Sequence, residues 1–340
     1  MSLARREFVA GMTAAGAAGL VGIRPESAAA EPPPETTTIR LSHSPIACFA
    51  PIFVAEPLLH AEGFQHVEYV PTSGPLKPID ARHGSLNAVL DSGESDLGMN
   101  DSPGHILSLD AGGSAVLLAG IHAGCQKLLA SERVRTVRDL KGKAVAVPSL
   151  GRRAFVMSIA LYIGLDPRKD IVWVDANVKE SMNMLADGKV DAYMGFAPEP
   201  EELLARKVGH VLVDTLTDKP WSQYFCCILA GNREFVRKNP VATKRALRAI
   251  LKANEICAAD PERAVRALVA RGYPRSPDIA LQLVRGLPYG RWRDYETEAT
   301  VRFYALRLRE VGMITSTPQQ IIAKSTDWRF VNELKRELKG

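Results

Sequence analysis

The chain has 340 residues, room for two domains of ordinary size, with 46% hydrophobic and 24% charged residues, the composition of a soluble globular protein. A formal charge of +5 is spread with both signs mixed and no run of five Lys or Arg, which argues against a nucleic-acid partner. No internal repeat at solenoid periods is present.

In chain order, Ala4-Arg5-Arg6-Glu7-Phe8-Val9 reads as a twin-arginine n-region, followed by a weakly apolar Gly/Ala-rich stretch from Ala10 to Ile23. That stretch falls short of the ~20 strongly apolar residues a membrane helix needs. Ser27-Ala28-Ala29-Ala30 offers a small-residue cleavage site, so residues 1–30 are expected to be an export signal and the mature protein periplasmic. Glu31–Thr38, with three consecutive prolines, is a linker.

Ile39–His43 is the first strand, and Phe49–Gly63 a helix with Pro51 in its first turn, a kink at Pro57 and a stop at Gly63. A strand at His66–Pro71, a helix at Ala81–Ser92 and a strand at Ser95–Met99 follow, and Pro103 suits the start of another helix. Ala115–Ala130 holds two apolar runs broken at Gly120 and Gly124, read as strands near an inter-domain crossing. Ala144–Val147 is a buried parallel strand, and Ser149 is placed to cap a helix from about Arg152. The alternation continues with strand Ile171–Val174, helix Val178–Gly188, strand Val190–Gly195, helix Pro198–Val208 and strand His210–Val213. Gln223–Ala230 is an isolated apolar strand that crosses back, and from Asn232 onward the pattern is helical: Val241–Ala259, two helices opened by Asp260-Pro261 and Ser276-Pro277, Thr297–Val311 and Gln319–Ile322.

The expected architecture is therefore α/β, with two βα domains joined by two crossings and a C-terminal helical segment. Residues 39–130 and 220–340 form domain 1, and residues 131–219 form domain 2. Such a pair is suited to closing on a small molecule. The order of segments resembles the substrate-binding proteins of ABC importers for nitrate, sulfonate, taurine and thiamine precursors, the SsuA/THI5-like group. The resemblance rests on CFAPIFVAEPLLHAEGF, DLKGKAVAVPSLG, MLADGKVDAYMGFAPEP and AGNREFVRKNPVATKRALRAILKANEIC, and it spans Ile39 to about Leu338. It implies the type II periplasmic binding protein fold, a small-molecule ligand, docking on ABC permease membrane subunits as a monomer, and no catalysis. The same family includes a yeast-type pyrimidine-precursor synthase that depends on a cysteine-rich loop, an iron and a pyridoxal phosphate lysine. Cys226-Cys227 is only a fragment of that cysteine cluster, and export counts against a biosynthetic role.

Four loops would face the cleft, His43–Phe49, Asn100–Gly104, Ser149–Arg153 and Phe196–Glu199. They supply the candidate ligand contacts His43, Ser44, Pro45, Cys48, Phe49, Asn100, Asp101, Ser102, Ser149, Leu150, Gly151, Arg152, Phe196 and Glu199, joined by His122 and Tyr224. Asp101 could accept from an amine or hydroxyl with Ser102 donating, or simply cap a helix. Ser149 with Arg152 or Arg153 could hold a carboxylate or sulfonate, though adjacent arginines on a helix point about a hundred degrees apart. Glu199 suits the first turn of its helix on dipole grounds. Phe49, Phe196, Tyr224 and Trp221 are candidate walls, the last two equally suited to packing at the crossing. Acidic and basic candidates together leave the ligand's charge open: a sulfonate, carboxylate, amine or pyrimidine-like heterocycle. The five cysteines, Cys48, Cys125, Cys226, Cys227 and Cys257, form no CxxC and are read as buried free thiols, with Cys226 and Cys227 on opposite faces of their strand. No metal or cofactor is expected.

Overall fold

Each parallel unit begins with a short strand that runs into a helix. In the computed structural model, which describes residues 31–44, 46–72, 84–273 and 276–338, the first set is β1 (Thr38–His43), α1 (Ala50–Val54), α2 (Glu56–Ala61), β2 (His66–Pro71), α3 (Gly84–Asp91), β3 (Leu97–Asp101), α4 (Ser102–Asp110) and β4 (Val116–Ala123). The second is β5 (Gln126–Ala130), β6 (Lys143–Val147), α5 (Leu150–Tyr162), β7 (Ile171–Asp175), α6 (Val178–Ala186), β8 (Ala192–Phe196), α7 (Glu199–Ala205) and β9 (His210–Asp214). After β10 (Phe225–Gly231) come α8 (Arg233–Lys238), α9 (Pro240–Ala259), α10 (Pro261–Val269), α11 (Pro277–Gly286), α12 (Thr297–Glu310), α13 (Pro318–Ser325) and α14 (Arg329–Glu337).

The strands form two five-stranded sheets, ordered β2-β1-β3-β10-β4 and β7-β6-β8-β5-β9. In the first, β10 runs antiparallel to both neighbours; in the second, β5 does. Each reversed strand is the one that has just crossed from the other sheet. The run Gln126–Ala130 therefore belongs to the second sheet, five residues ahead of the expected boundary at 131. Both sheets lie within one compact unit, Pro34–Gly340.

Local chemistry explains most element ends. Pro51 and Pro57 open α1 and α2, so the expected kink is a break at Ala55. Asp101 accepts from the Gly104 N–H at 2.8 Å, Ser149 from Arg152 at 3.3 Å, and Asp260 from Arg263 at 2.9 Å, each capping the helix it precedes. Ser276 makes no such bond, and Pro277 alone opens α11. Two helices absent from the sequence reading, α8 and α14, are short; α8 is capped by Asn232, which accepts from Phe235 at 3.0 Å. The first residues of the predicted helix 81–92 lie outside the described residues.

The buried strands β3, β4, β8 and β10 carry the core, which takes Ile39, Leu41 and Ile228 from one sheet and Val145, Val147 and Met194 from the other. Gly120 does not break β4 as expected. A Cβ there would stand 2.1 Å from Cδ2 of Phe225, so the glycine is the floor on which that ring lies. Gly120→Ala is expected to cost about 1–3 kcal/mol through overpacking, read as a lower urea midpoint, with Phe225→Leu in the same chain recovering part of the loss. An unchanged midpoint would mean the ring moves freely.

Candidate functional site

The carboxyl end of β3 in the first sheet meets the start of the helix that follows β6 in the second. Asp101, at the end of β3, comes up to the first turn of α5, where a Cβ on Gly151 would lie 2.9 Å from Oδ1 of Asp101. Glycine at 151 thus lets a helix N-terminus, with its unpaired N–H groups, come up to a carboxylate. Asp101 is buried, and its own N–H donates to Oδ1 of Asn100 at 2.8 Å. Burial pushes the Asp101 carboxyl up from the usual 3.8 to about 7, against the Gly104 N–H and Arg152, which pull it down.

Arg152 is turned inward within its own half. Its guanidinium donates to Oε2 of Glu199 at 2.5 Å and Oε1 at 3.0 Å, to Oη of Tyr193 at 3.0 Å and to the Met194 carbonyl at 3.3 Å. Tyr193 donates to the same Glu199 oxygen, and the Arg152 guanidinium lies 4.7 Å from the centroid of Phe196. Glu199 also accepts the Phe196 N–H at 3.2 Å. Arg153 pairs with Asp175 at 2.6 Å and covers Trp173. Both arginines are engaged by carboxylates of the chain, and Glu199 is neutralised by Arg152. Tyr193 had no signal in the sequence beyond its place in a buried strand.

The other candidates divide. Ser102 bonds the Phe225 carbonyl at 2.7 Å, locking α4 to β10, and Tyr224 stacks on Phe303 at 4.1 Å. Trp221 is buried edge-on against Tyr162. His43 points into an aromatic group with Phe53, Tyr69 and Tyr273, and Ser44 bonds Thr72 at 2.6 Å. Phe49 is buried, Leu150 is partly buried against the core, and Pro45 lies outside the described residues.

Cys48 and His122 come together with two further cysteines. All five cysteines are free and buried, as expected, but the alternation of Cys226 and Cys227 fails. The β10–β4 ladder slips on both sides of Cys227, leaving Cys226 as an unpaired bulge residue. Both sulfurs consequently approach Cys125: Cys226 Sγ lies 3.0 Å from Cys125 Sγ, and Cys227 Sγ within 4.8 Å of it. The sequence held one clue, the Gly124-Cys125 break at the crossing.

The NMT1/THI5-like family model matches residues 78–264, more than half the chain, and the protein belongs to that family. Solved structures share its fold. The nitrate-binding protein NrtA of Synechocystis PCC 6803 aligns with a TM-score of 0.72 at 15% identity, over 91% of this chain and 90% of that one. The alkanesulfonate-binding protein SsuA of Xanthomonas axonopodis pv. citri, bound to MOPS, gives 0.64 at 17% identity, over 83% and 96%. The putative sulfonate-binding SsuA of Methylobacillus flagellatus KT gives 0.67 at 20% identity, over 89% and 94%. No curated protein sequence matches the chain.

Two outcomes follow from the charges. The fold favours protonated Asp101, so that contribution to stability is complete below about pH 4 and is lost as pH rises through about 7. Asp101→Asn, which keeps a capping oxygen, should gain stability relative to the parent as pH rises across this window, seen by urea denaturation at pH 4.5 and 7.5. A pH-independent difference would place an ordinary carboxylate there. Arg152→Met should cost about 3–5 kcal/mol by stranding part-buried Glu199, whereas adding Glu199→Leu should recover most of the loss; equal losses in single and double variants would show the pair is not coupled.

Proposed function

We propose that this member of the NMT1/THI5-like family is an exported solute-binding protein, sent out by the twin-arginine route and cleaved near Ala30. It works as a monomer with two lobes, built on the two sheets, that close on a small organic molecule and present it to the membrane subunits of an ABC importer. It captures and releases its ligand without turnover. The nitrate- and sulfonate-binding proteins that share the fold support this reading.

The observation that carries the ligand class is the state of the charges where the two halves meet. Arg152 and Arg153 are engaged by Glu199 and Asp175, while Asp101 stands at the facing ends with backbone N–H groups rather than an ion-pair partner. An amine or a nitrogen heterocycle that donates to Asp101 suits this arrangement better than an anion does. Asn100 and Ser149 flank it, and Phe196 and Tyr224 offer aromatic surface. A synthase on the same fold is the second reading, favoured by the cysteines gathered beside the site.

A thermal-shift screen of the chain from Glu31 with amines, pyrimidines, sulfonates, carboxylates and nitrate separates these readings. Binding at 100 Kd adds ~2.7 kcal/mol to native-state stability, a clear rise in Tm. The expected hit is an amine or pyrimidine whose shift disappears in Asp101→Ala. A hit confined to sulfonates or nitrate would overturn the ligand class, and catalytic consumption of the bound compound would overturn the transport role.

A further inference from the structure

We propose that Cys48, His122, Cys125 and Cys227 form a tetrahedral site for a thiolate-preferring metal ion of the zinc class. The four residues come from separate places: a short 3-10 turn at Ala47–Phe49, the end of β4, the crossing that follows it, and β10. Their ligand atoms all lie within 4.8 Å of one another. Zinc–sulfur bonds of ~2.3 Å at tetrahedral angles need donor atoms ~3.8 Å apart. The observed group is thus within about an ångström of closing on an ion, and all four side chains are buried.

The surroundings fit ligands held for a purpose. Nδ1 of His122 sits 3.3 Å from the Ala123 carbonyl, while Nε2 is buried with no hydrogen-bond partner among the described residues. That leaves one ring nitrogen fixed by the backbone and the other with a lone pair to offer, as in metal-bound histidines. Tyr289 packs edge-on against the imidazole at 5.3 Å, and its hydroxyl donates to the Cys48 carbonyl at 2.9 Å, so one side chain steadies two ligands.

Backbone geometry adds an independent sign. Cys125 has a φ of 117°, where residues other than glycine are strained. The bulge at Cys226 has a parallel effect, since it sets Cys227 directly opposite His122 in the β4–β10 ladder. A twisted crossing and a bulge both serve to gather sulfur around one histidine. Binding a divalent ion to three thiols and a neutral imidazole releases three protons and leaves one net negative charge. The Cys226 thiol beside Cys125, and Nε2 of Gln126 at 3.7 Å from Cys226, are donors available to offset it.

The site does not depend on the transport reading, because it would tie the crossing to the first sheet whatever enters the cleft. The test uses the whole protein, folded in the cytoplasm and purified with a thiol reductant but no chelator. Metal analysis should find one zinc per chain, and X-ray absorption three sulfurs and one nitrogen around it. Cobalt exchanged into the site should show tetrahedral ligand-field bands with sulfur-to-cobalt charge transfer. Cys125→Ser should abolish both, whereas Cys257→Ser, altering a buried cysteine on α9 outside the group, should change neither. Cys226→Ser should retain the metal, because Cys226 is not a ligand, and it also removes a thiol 3.0 Å from Cys125 with which a disulfide would compete. Folded wild type and Cys226→Ser that both lack zinc and take up no cobalt would overturn the proposal, as would a metal bound by nitrogen and oxygen alone. If Cys125→Ser fails to fold, the absorption spectrum of the wild type decides.

Discussion

Neither sheet is complete without a strand delivered from the other, and the two crossings that deliver them must therefore be held together. They are. Gly124 lies against Leu216, where a Cβ would come within 2.7 Å of the backbone. Gln126 and Thr215 bond each other three times, through the Gln126 N–H at 3.1 Å and through its carbonyl at 2.8 and 3.1 Å. A positive φ of 70° at Gly124 permits this approach, which a side chain would block. The facing of the strand ends, the contact of α5 with Asp101 and the gathering of cysteines at the crossing all depend on this junction.

Charge at the meeting of the halves follows from what burial tolerates. A guanidinium as buried as that of Arg152 needs a carboxylate and further acceptors, and Glu199, Tyr193 and Met194 supply them from β8 and the start of α7. That network is internal to the second sheet's half. Asp101 has no such partner among the described residues and is stabilised by backbone N–H groups, the neighbouring helix end and the field of Arg152, which burial outweighs, so its proton is held far more tightly than usual. A ligand that brings a donor to this carboxylate would relieve the desolvation that the fold imposes. The same physics explains why an arginine in a cleft loop need not bind an anion: its own chain can already have answered it.

Much of the fold was legible because period and punctuation are local. The strand at Ala144–Val147, the Ser149 cap, the Asp101 and Asp260 caps, and the lone return strand near Phe225 are all written in a few adjacent residues. The error at Gly120 arose because a glycine in a strand signals either a break or a close approach, and only the partner strand, with Phe225 above it, decides. The placement of Gln126–Ala130 failed similarly: its sequence says strand, but pairing with β8 and β9 is set by the crossing. Of the site, positions were legible and partners were not. Arg152 and Glu199 both stood out, yet nothing within either loop shows that each answers the other across 47 residues.

The cysteines mark the limit of strand logic most clearly. Alternation sends Cys226 and Cys227 to opposite faces, which is right for a regular ladder and fails when one residue is left unpaired. A bulge costs ladder bonds and a left-handed cysteine costs strain, and the two occur side by side, where β10 meets the end of β4. Apolar packing alone gives no reason for both, since a small buried thiol fills space equally well from an unstrained backbone. Bonds from sulfur and imidazole to one ion are strong enough to offset both costs. They would act at the junction on which the pairing of the two sheets rests, so this irregular backbone and the joint between the sheets are the same place.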